Sequence, residues 1–185
     1  RAHMAVYLDD LFAKGLSHDW AILGAGVREG DARMRDALKA QDCLSTVIEL
    51  DPKGKSARRI GSMIDFLPVE PGNAALIAAM SRPEIRIVSL TVTEGGYFIN
   101  PATGQFDPMH PEIVDDAVDP HKTAFGAIIA ALKARKAAGV KPFTVMSCDN
   151  LPGNGHVTKA AVMGLAGLED PDLAYWIGDN VAFPN

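Results

Sequence analysis

The chain has 185 residues, 48% of them hydrophobic and 22% charged, with a formal net charge of −5. That length supports one domain with a sizeable core, the composition is that of a soluble globular protein, and the negative balance argues against a large nucleic-acid footprint, which needs a basic face. No apolar run reaches the roughly 18 residues of a membrane span, and the two cysteines, Cys43 and Cys148, are too few for a disulfide scaffold and fit a reduced, cytoplasmic setting. No signal peptide is visible. The chain opens Arg-Ala-His without a Met and closes Val-Ala-Phe-Pro-Asn without a charged tail, so both ends read as cut and the whole as an excerpt.

Residues 4–14 carry Leu8, Leu11 and Phe12 at helical spacing, with Gly15 as the stop. WAILGAGV (20–27) reads as a buried strand, and 31–40 as a helix with Met34, Ala37 and Leu38 on one face. LSTVIEL (44–50) and ARRIGSMI (57–64), joined by Asp51-Pro-Lys-Gly54, predict a β-hairpin over 44–64. A helix over 72–81 and a strand over 85–93 follow; IRIVSLTVT is β-branched and apolar on both faces, as in a central parallel strand. Residues 95–120 are rich in Gly, Pro, Asn and Asp and read as a long loop of the functional kind. The clearest helix is 121–138, with Phe125, Ile128, Ile129 and Leu132 inward and Gly139 as its stop. A strand at 142–147 and helices near 156–168 and 171–181 complete the chain.

Strands alternating with helices predict an α/β fold: a doubly wound, mainly parallel sheet with helices on both faces. Ligands of such sheets bind beyond the carboxyl ends of the strands. Three strand ends are polar and glycine-rich: 24-GAGVREGD-31, 91-TVTEGGY-97 and 146-MSCDNLPGNG-155.

At the first, Gly24, Gly26 and Gly30 give G-x-G-x-x-x-G, which reads either as a dinucleotide fingerprint with Glu49 as its ribose acid, or as an ordinary glycine turn. A third reading makes Asp31 or Glu29 the acid that grips a ribose diol, although Asp31 also stands where an N-cap belongs. At the second, the glycines admit a ligand to the backbone or serve a positive-φ turn, and Tyr97 is core or rim. At the third, the Asn150 amide is placed to hold a carbonyl oxygen on which charge develops, or else Asp149 or Asn150 starts an Asx turn before Pro152. Cys148 has no positioned base and reads as a small buried thiol. His3, His18, His110, His121 and His156 show no metal-ligand spacing, so no metal is expected. P-loop and hydrolase-elbow patterns are absent from the sequence.

RAHMAVYLDDLF, GVREGDARMRDAL, IRIVSLTVTEGGY, KTAFG, PFTVMSCDNLPGNG and the final VAFPN together resemble the mannitol dehydrogenase family of long-chain polyol dehydrogenases, across essentially all residues. The resemblance implies a single NAD-binding, Rossmann-like domain over 1–185, lacking its first strand and a helical substrate domain. It places Gly24 to Gly30 at the end of the second strand, which sets the fingerprint reading aside. Asp31 then matches the ribose-binding acid, so NAD is expected over NADP; Gly30, which follows Glu29, departs from the family, which often has a second acid at that position. Asn150 matches the asparagine that polarises the reacting oxygen, and Asp149 shapes the turn. Thr91, Thr93 and Glu94 end the strand under the cofactor.

The implied reaction is metal-independent hydride transfer between a polyol and its ketose, mannitol and fructose being favoured, with a catalytic lysine beyond Asn185. Residues 1–185 alone are expected to be inactive. Fructuronate reduction within the same family and a non-catalytic nucleotide-binding module are the alternatives. The expected partner is a small polyol or ketose, with neither nucleic acid nor membrane, and the sequence leaves the oligomeric state open.

Overall fold

The computed structural model describes residues 2–100, 102–118 and 121–185, with the backbone alone at Ala2, Glu94, Ala117 and Val118. The chain divides into two compact units, Arg1–Val69 and Glu70–Asn185.

In the first unit, helix α1 (Ala2–Ala13) precedes strand β1 (Ile22–Gly24), helix α2 (Asp31–Lys39) and strands β2 (Ser45–Asp51), β3 (Gly54–Ile60) and β4 (Met63–Phe66). β1 and β4 pair in parallel. β2 and β3 form the expected hairpin, antiparallel from Ser45↔Ile60 to Asp51↔Gly54. Its turn is held by the Asp51 carboxylate, which accepts the Lys53 N–H at 2.5 Å, and by Gly54 at φ 156. The run 57–64, expected as one strand, breaks at Gly61 and Ser62. There the Gly61 N–H donates to Asp9 (2.9 Å) and the Ser62 hydroxyl to the Ala5 carbonyl (2.8 Å), so α1 takes the chain out of the hairpin and β4 pairs with β1 instead. The face expected for α2 is also corrected: Met34 and Ala37 are exposed, whereas Asp31, Ala32, Arg35 and Leu38 are half-buried.

The second unit holds helix α3 (Ala74–Ser81), strand β5 (Ile87–Leu90), a 3-10 turn at Glu94–Tyr97, helices α4 (Pro111–Val118) and α5 (Ala124–Ala138), strand β6 (Thr144–Ser147), and helices α6 (Asn154–Glu169) and α7 (Pro171–Asn180). β5 and β6 pair in parallel, from Ile87↔Thr144 to Leu90↔Ser147. β5 is shorter than its sequence reading. Its Ile87 and Ser89 stand exposed rather than covered on both faces, because no other described element of this unit overlies them. α5 fulfils its periodicity, with Phe125, Ile128 and Leu132 at 0–1% exposure and Ile129 partly buried against the same core. Thr123 caps it by accepting the Gly126 N–H at 2.9 Å, and Gly139 ends it at φ 67.

The long loop at 95–120 contains structure that its composition conceals. Ile99 bridges Phe106, whose ring lies where a Cβ on Gly164 of α6 would come within 2.4 Å. α4 begins with proline and carries Glu112 in its first turn, a favourable start. Its inward residues are Ile113 and Asp116, and the buried carboxylate breaks the apolar period. Asp116 accepts the Thr123 N–H at 2.8 Å, and burial pushes its carboxyl up against that bond. Among the described residues no helix is long and apolar enough to cross a membrane.

Arg135 of α5 is 2% exposed and is solvated by backbone carbonyls. Its Nε donates to Met80 (2.7 Å), Nη1 to Lys141 (2.6 Å) and Nη2 to Ile85 (2.7 Å) and Arg82, while its guanidinium lies 4.8 Å from the Phe143 ring centre. One cation thus ties the end of α3, the approach to β5 and the approach to β6 to α5. Arg135→Leu is expected to destabilise the protein by about 3 kcal/mol by leaving these carbonyls without donors. Arg135→Lys is expected to recover only part of that, because an ammonium lacks the planar fork. Urea unfolding of the three proteins measures both.

Candidate functional site

Parallel pairing brings the carboxyl ends of β5 and β6 out side by side, and the Cys148 N–H extends the ladder by donating to the Leu90 carbonyl at 2.9 Å. Beyond that bond the two chains part, and Asp149 bridges them. One oxygen of its carboxylate accepts the Val92 N–H (2.9 Å) and the Tyr97 hydroxyl (2.7 Å); the other accepts the Thr93 N–H at 3.3 Å. With its hydrogen on Asp149, Tyr97 accepts in turn from the Ser147 hydroxyl at 2.6 Å. Burial above all, reinforced by Asp149 and opposed by Ser147, pushes the Tyr97 phenol well above its ordinary value, so it stays a protonated donor. Tyr97 is therefore core. Its ring and that of Phe98 pack on Phe125 at 5.7 and 5.9 Å between centroids.

The polar end of β6 is braced from behind by the first turn of α6. The Asn154 amide donates to the carbonyls of Ser147 (3.3 Å) and Asp149 (3.2 Å), and the Thr158 hydroxyl holds the Asn154 carbonyl at 2.6 Å. The N-terminus of α6 is closed by Asn185, whose side-chain oxygen accepts the N–H groups of Gly155 (2.9 Å) and His156 (3.4 Å). Gly155 has to be a glycine, since a Cβ there would stand 2.4 Å from the Pro184 carbonyl oxygen.

Between these two walls lies an open cleft of about 390 Å³, lined among the described residues by Thr93, Gly95, Asp149 and Asn150. Asn150 is exposed at its lip, and its amide makes no hydrogen bond to another described residue. Gly95 has open space where a Cβ would be, so its backbone is accessible from the cleft. Neither glycine of 94-EGGY-97 takes a positive φ. The left-handed residues are Thr93 (φ 68, ψ 166) and Phe98 (φ 54). For a β-branched residue such as Thr93 that conformation costs about 1–3 kcal/mol.

The Asx-turn reading of Asp149 is therefore corrected: its side chain crosses to the neighbouring strand end instead of turning back on its own chain. Cys148 is exposed, not buried. Strand alternation explains this, because Val145 and Ser147 face inward. Partial desolvation raises its thiol, which makes it a poor nucleophile. Thr91 lies half-buried just past Leu90 and does not line the cleft, whereas Thr93 does. The side chain of Glu94 lies outside the described residues. Ser147, Tyr97 and Asn154 are the site-building residues that sequence reasoning did not assign. Each has a polar group at a strand or helix end, the one signal available.

The other predicted acids belong to the first unit. Asp31 is the first residue of α2, after Gly30 in the N-cap position, and its carboxylate reaches back to the N–H groups of Val27 and Arg28, both at 3.1 Å. It therefore orders the loop after β1 rather than capping the helix. Gly24 and Gly26 are explained by packing, whereas Gly30 has open space where a Cβ would be. A Cβ on Gly26 would lie 2.3 Å from that of Asp31, and one on Gly24 would lie 2.5 Å from the Phe66 ring. Glu29 is exposed in the same loop. Glu49, the acid of the fingerprint reading, is on β2 beside Arg58 at 3.5 Å.

Comparison with known proteins follows this geometry. The family model of the mannitol dehydrogenase Rossmann domain matches residues 1–185. The chain is 71% identical over 187 residues to the mannitol 2-dehydrogenase of Cereibacter sphaeroides, covering 100% of this chain and 39% of that protein. It is 46% identical to the mannitol 2-dehydrogenase of Phaeosphaeria nodorum, over 100% of this chain and 33% of that protein. Pseudomonas fluorescens mannitol 2-dehydrogenase, solved as a ternary complex with NAD and D-mannitol, superposes with a TM-score of 0.91 at 46% identity, over 98% of this chain and 38% of that one. A D-sorbitol dehydrogenase solved in substrate-free form gives 0.90 at 42% identity, over 100% of this chain and 39% of that one. The chain thus spans well under half the length of the relatives it matches. On a match along its whole length and a shared Rossmann α/β fold, the chain belongs to the mannitol dehydrogenase family, as its Rossmann domain.

Proposed function

We propose that the intact protein is an NAD-dependent polyol dehydrogenase that moves hydride between a secondary alcohol of a sugar alcohol, D-mannitol first, and the nicotinamide. This chain is then its nucleotide-binding domain. The observation that carries the reading is the Asn150 amide, exposed without a described partner at a cleft where two parallel strands end. Its support from relatives is the 71% identical mannitol 2-dehydrogenase and the Pseudomonas fluorescens complex with NAD and D-mannitol.

The residues present fit such a cofactor. Gly95 leaves its backbone open to a flat ring, and the cleft volume of about 390 Å³ falls within the range of small-ligand sites. When bound, the nicotinamide supplies the hydride acceptor. Thr93 forms the wall under the ring, while Thr91, half-buried just past β5, stays back from it. Asn150 donates from its amide to the substrate oxygen as negative charge gathers there. Asp31 is fixed by two backbone N–H groups and offers a carboxylate to the ribose diol. A carboxylate accepts from both hydroxyls and repels a 2′-phosphate, which favours NAD over NADP; Glu29 beside it adds to that repulsion.

An amide cannot take the proton that leaves the alcohol. Among the described residues Asp149 is the titratable group lining the cleft, and it is committed to Val92, Thr93 and Tyr97. The base therefore comes from elsewhere in the intact protein, and residues 1–185 alone are proposed to be inactive. The free thiols of Cys43 and Cys148 suit a cytoplasmic location.

Asn150→Ala in the intact protein is expected to lower kcat for D-mannitol oxidation by about 10²–10³-fold with little change in NAD affinity. Unchanged kcat would contradict the role of Asn150. Asp31→Ala is expected to raise the Kd for NAD about tenfold and to narrow the preference over NADP, as measured by titrating each cofactor. Wild-type protein that oxidises D-sorbitol but not D-mannitol would keep the chemistry and change the substrate. Oxidation of no polyol would refute the reading.

A further inference from the structure

We infer that Asp149 is the positioning residue of this site: it fixes the width of the cleft by pinning the Val92–Tyr97 turn to the chain that carries Asn150. The inference rests on the proposed function and deepens it. Three donors from one turn, two backbone N–H groups and the Tyr97 hydroxyl, converge on the two oxygens of a single side chain from the opposite wall. The neighbour of Asp149 in sequence is Asn150, so the reach of the amide and the position of the turn share one anchor. The backbone of Asp149 is itself held by Asn154, which leaves the side chain little freedom to follow a moving turn.

The turn has reason to move. Thr93 sits at φ 68 and ψ 166, a conformation open mainly to glycine, and nothing in a β-branched side chain favours it. The Asp149 carboxylate and the Gly96 N–H, which donates to the Thr93 carbonyl at 3.1 Å, hold the residue there on both sides of its peptide planes. The requirement is for a carboxylate. An amide at position 149 presents one acceptor oxygen and turns its NH2 toward a donor, so at least one of the three bonds is replaced by a repulsion. Thr93 is then released toward ordinary extended backbone, and the Gly95 wall shifts relative to Asn150.

The test uses the intact protein with NAD and D-mannitol as probes, comparing wild type, Asp149→Asn and Tyr97→Phe at a temperature where all three are folded. Asp149→Asn is expected to lower kcat by about 30-fold and to weaken NAD binding severalfold, with KM for D-mannitol nearly unchanged, because misplacement of reacting groups appears chiefly in kcat. Tyr97→Phe keeps the carboxylate and removes one donor; it is expected to lower kcat about fivefold in the same pattern. If Asp149→Asn does not fold, Tyr97→Phe alone decides, with the same split required. Variants that melt lower but retain wild-type kcat and NAD affinity would show a merely structural role and overturn the inference alone. Wild-type protein inert toward NAD and polyols would overturn the proposed function, and the inference with it.

Discussion

A single carboxylate decides the local structure of the candidate site. Parallel strands β5 and β6 end together, and beyond their last ladder bond nothing in the backbone would keep the two chains side by side. Asp149 does so by accepting two N–H groups and a hydroxyl from the turn after β5. Charge-assisted hydrogen bonds of this kind are among the stronger available to a protein, and here they hold Thr93 in backbone that a β-branched residue ordinarily avoids. The turn is in turn rooted in the core through Tyr97 and Phe98 on Phe125. Core packing, strand pairing and the exposed amide of Asn150 are therefore linked through one side chain.

Close approach recurs as a second theme. Gly26 makes room for Asp31, Gly24 for the Phe66 ring, Gly155 for the chain at Phe183 and Pro184, and Gly164 for Phe106. In each case a Cβ would stand nearer than van der Waals contact allows, so these glycines are required by packing and not by a left-handed backbone. The first two glycines of a pattern that invites a phosphate-binding reading, Gly24 and Gly26, are thus explained by close approach. Arg135 extends the same economy of means to charge: a buried cation is satisfied by four carbonyls and a ring face.

Much of this was legible in the sequence, and the exceptions are physical. α5 was readable because its apolar residues recur with helical period, and the hairpin because Asp51-Pro-Lys-Gly54 is turn chemistry between two β-branched runs. α4 was hidden because its inward face includes Asp116, whose burial is offset by the Thr123 backbone N–H in the next segment, beyond the end of the helix. The break between β3 and β4 was hidden because it depends on α1 supplying Asp9 and the Ala5 carbonyl, contacts between residues more than fifty positions apart. At the site, the strand-end position of Asn150 could be read, and the family resemblance supplied the role proposed for it. The destination of the Asp149 side chain could not be read, because a strand-crossing acceptor and an Asx turn look alike in one dimension. The outward face of Cys148 follows from strand parity once Ser147 is known to point inward.

The turn at Val92–Tyr97 and the segment Cys148–Leu151 meet at one cleft, and under the proposed function both respond to the bound nucleotide. Amide hydrogen exchange of the intact protein, measured by mass spectrometry with and without saturating NAD, tests that most directly. Slowed exchange is expected in peptides covering both segments, with the hairpin at Ser45–Ile60 unchanged. Slowing confined to other parts of the chain, or none in these segments despite NAD binding, would contradict it.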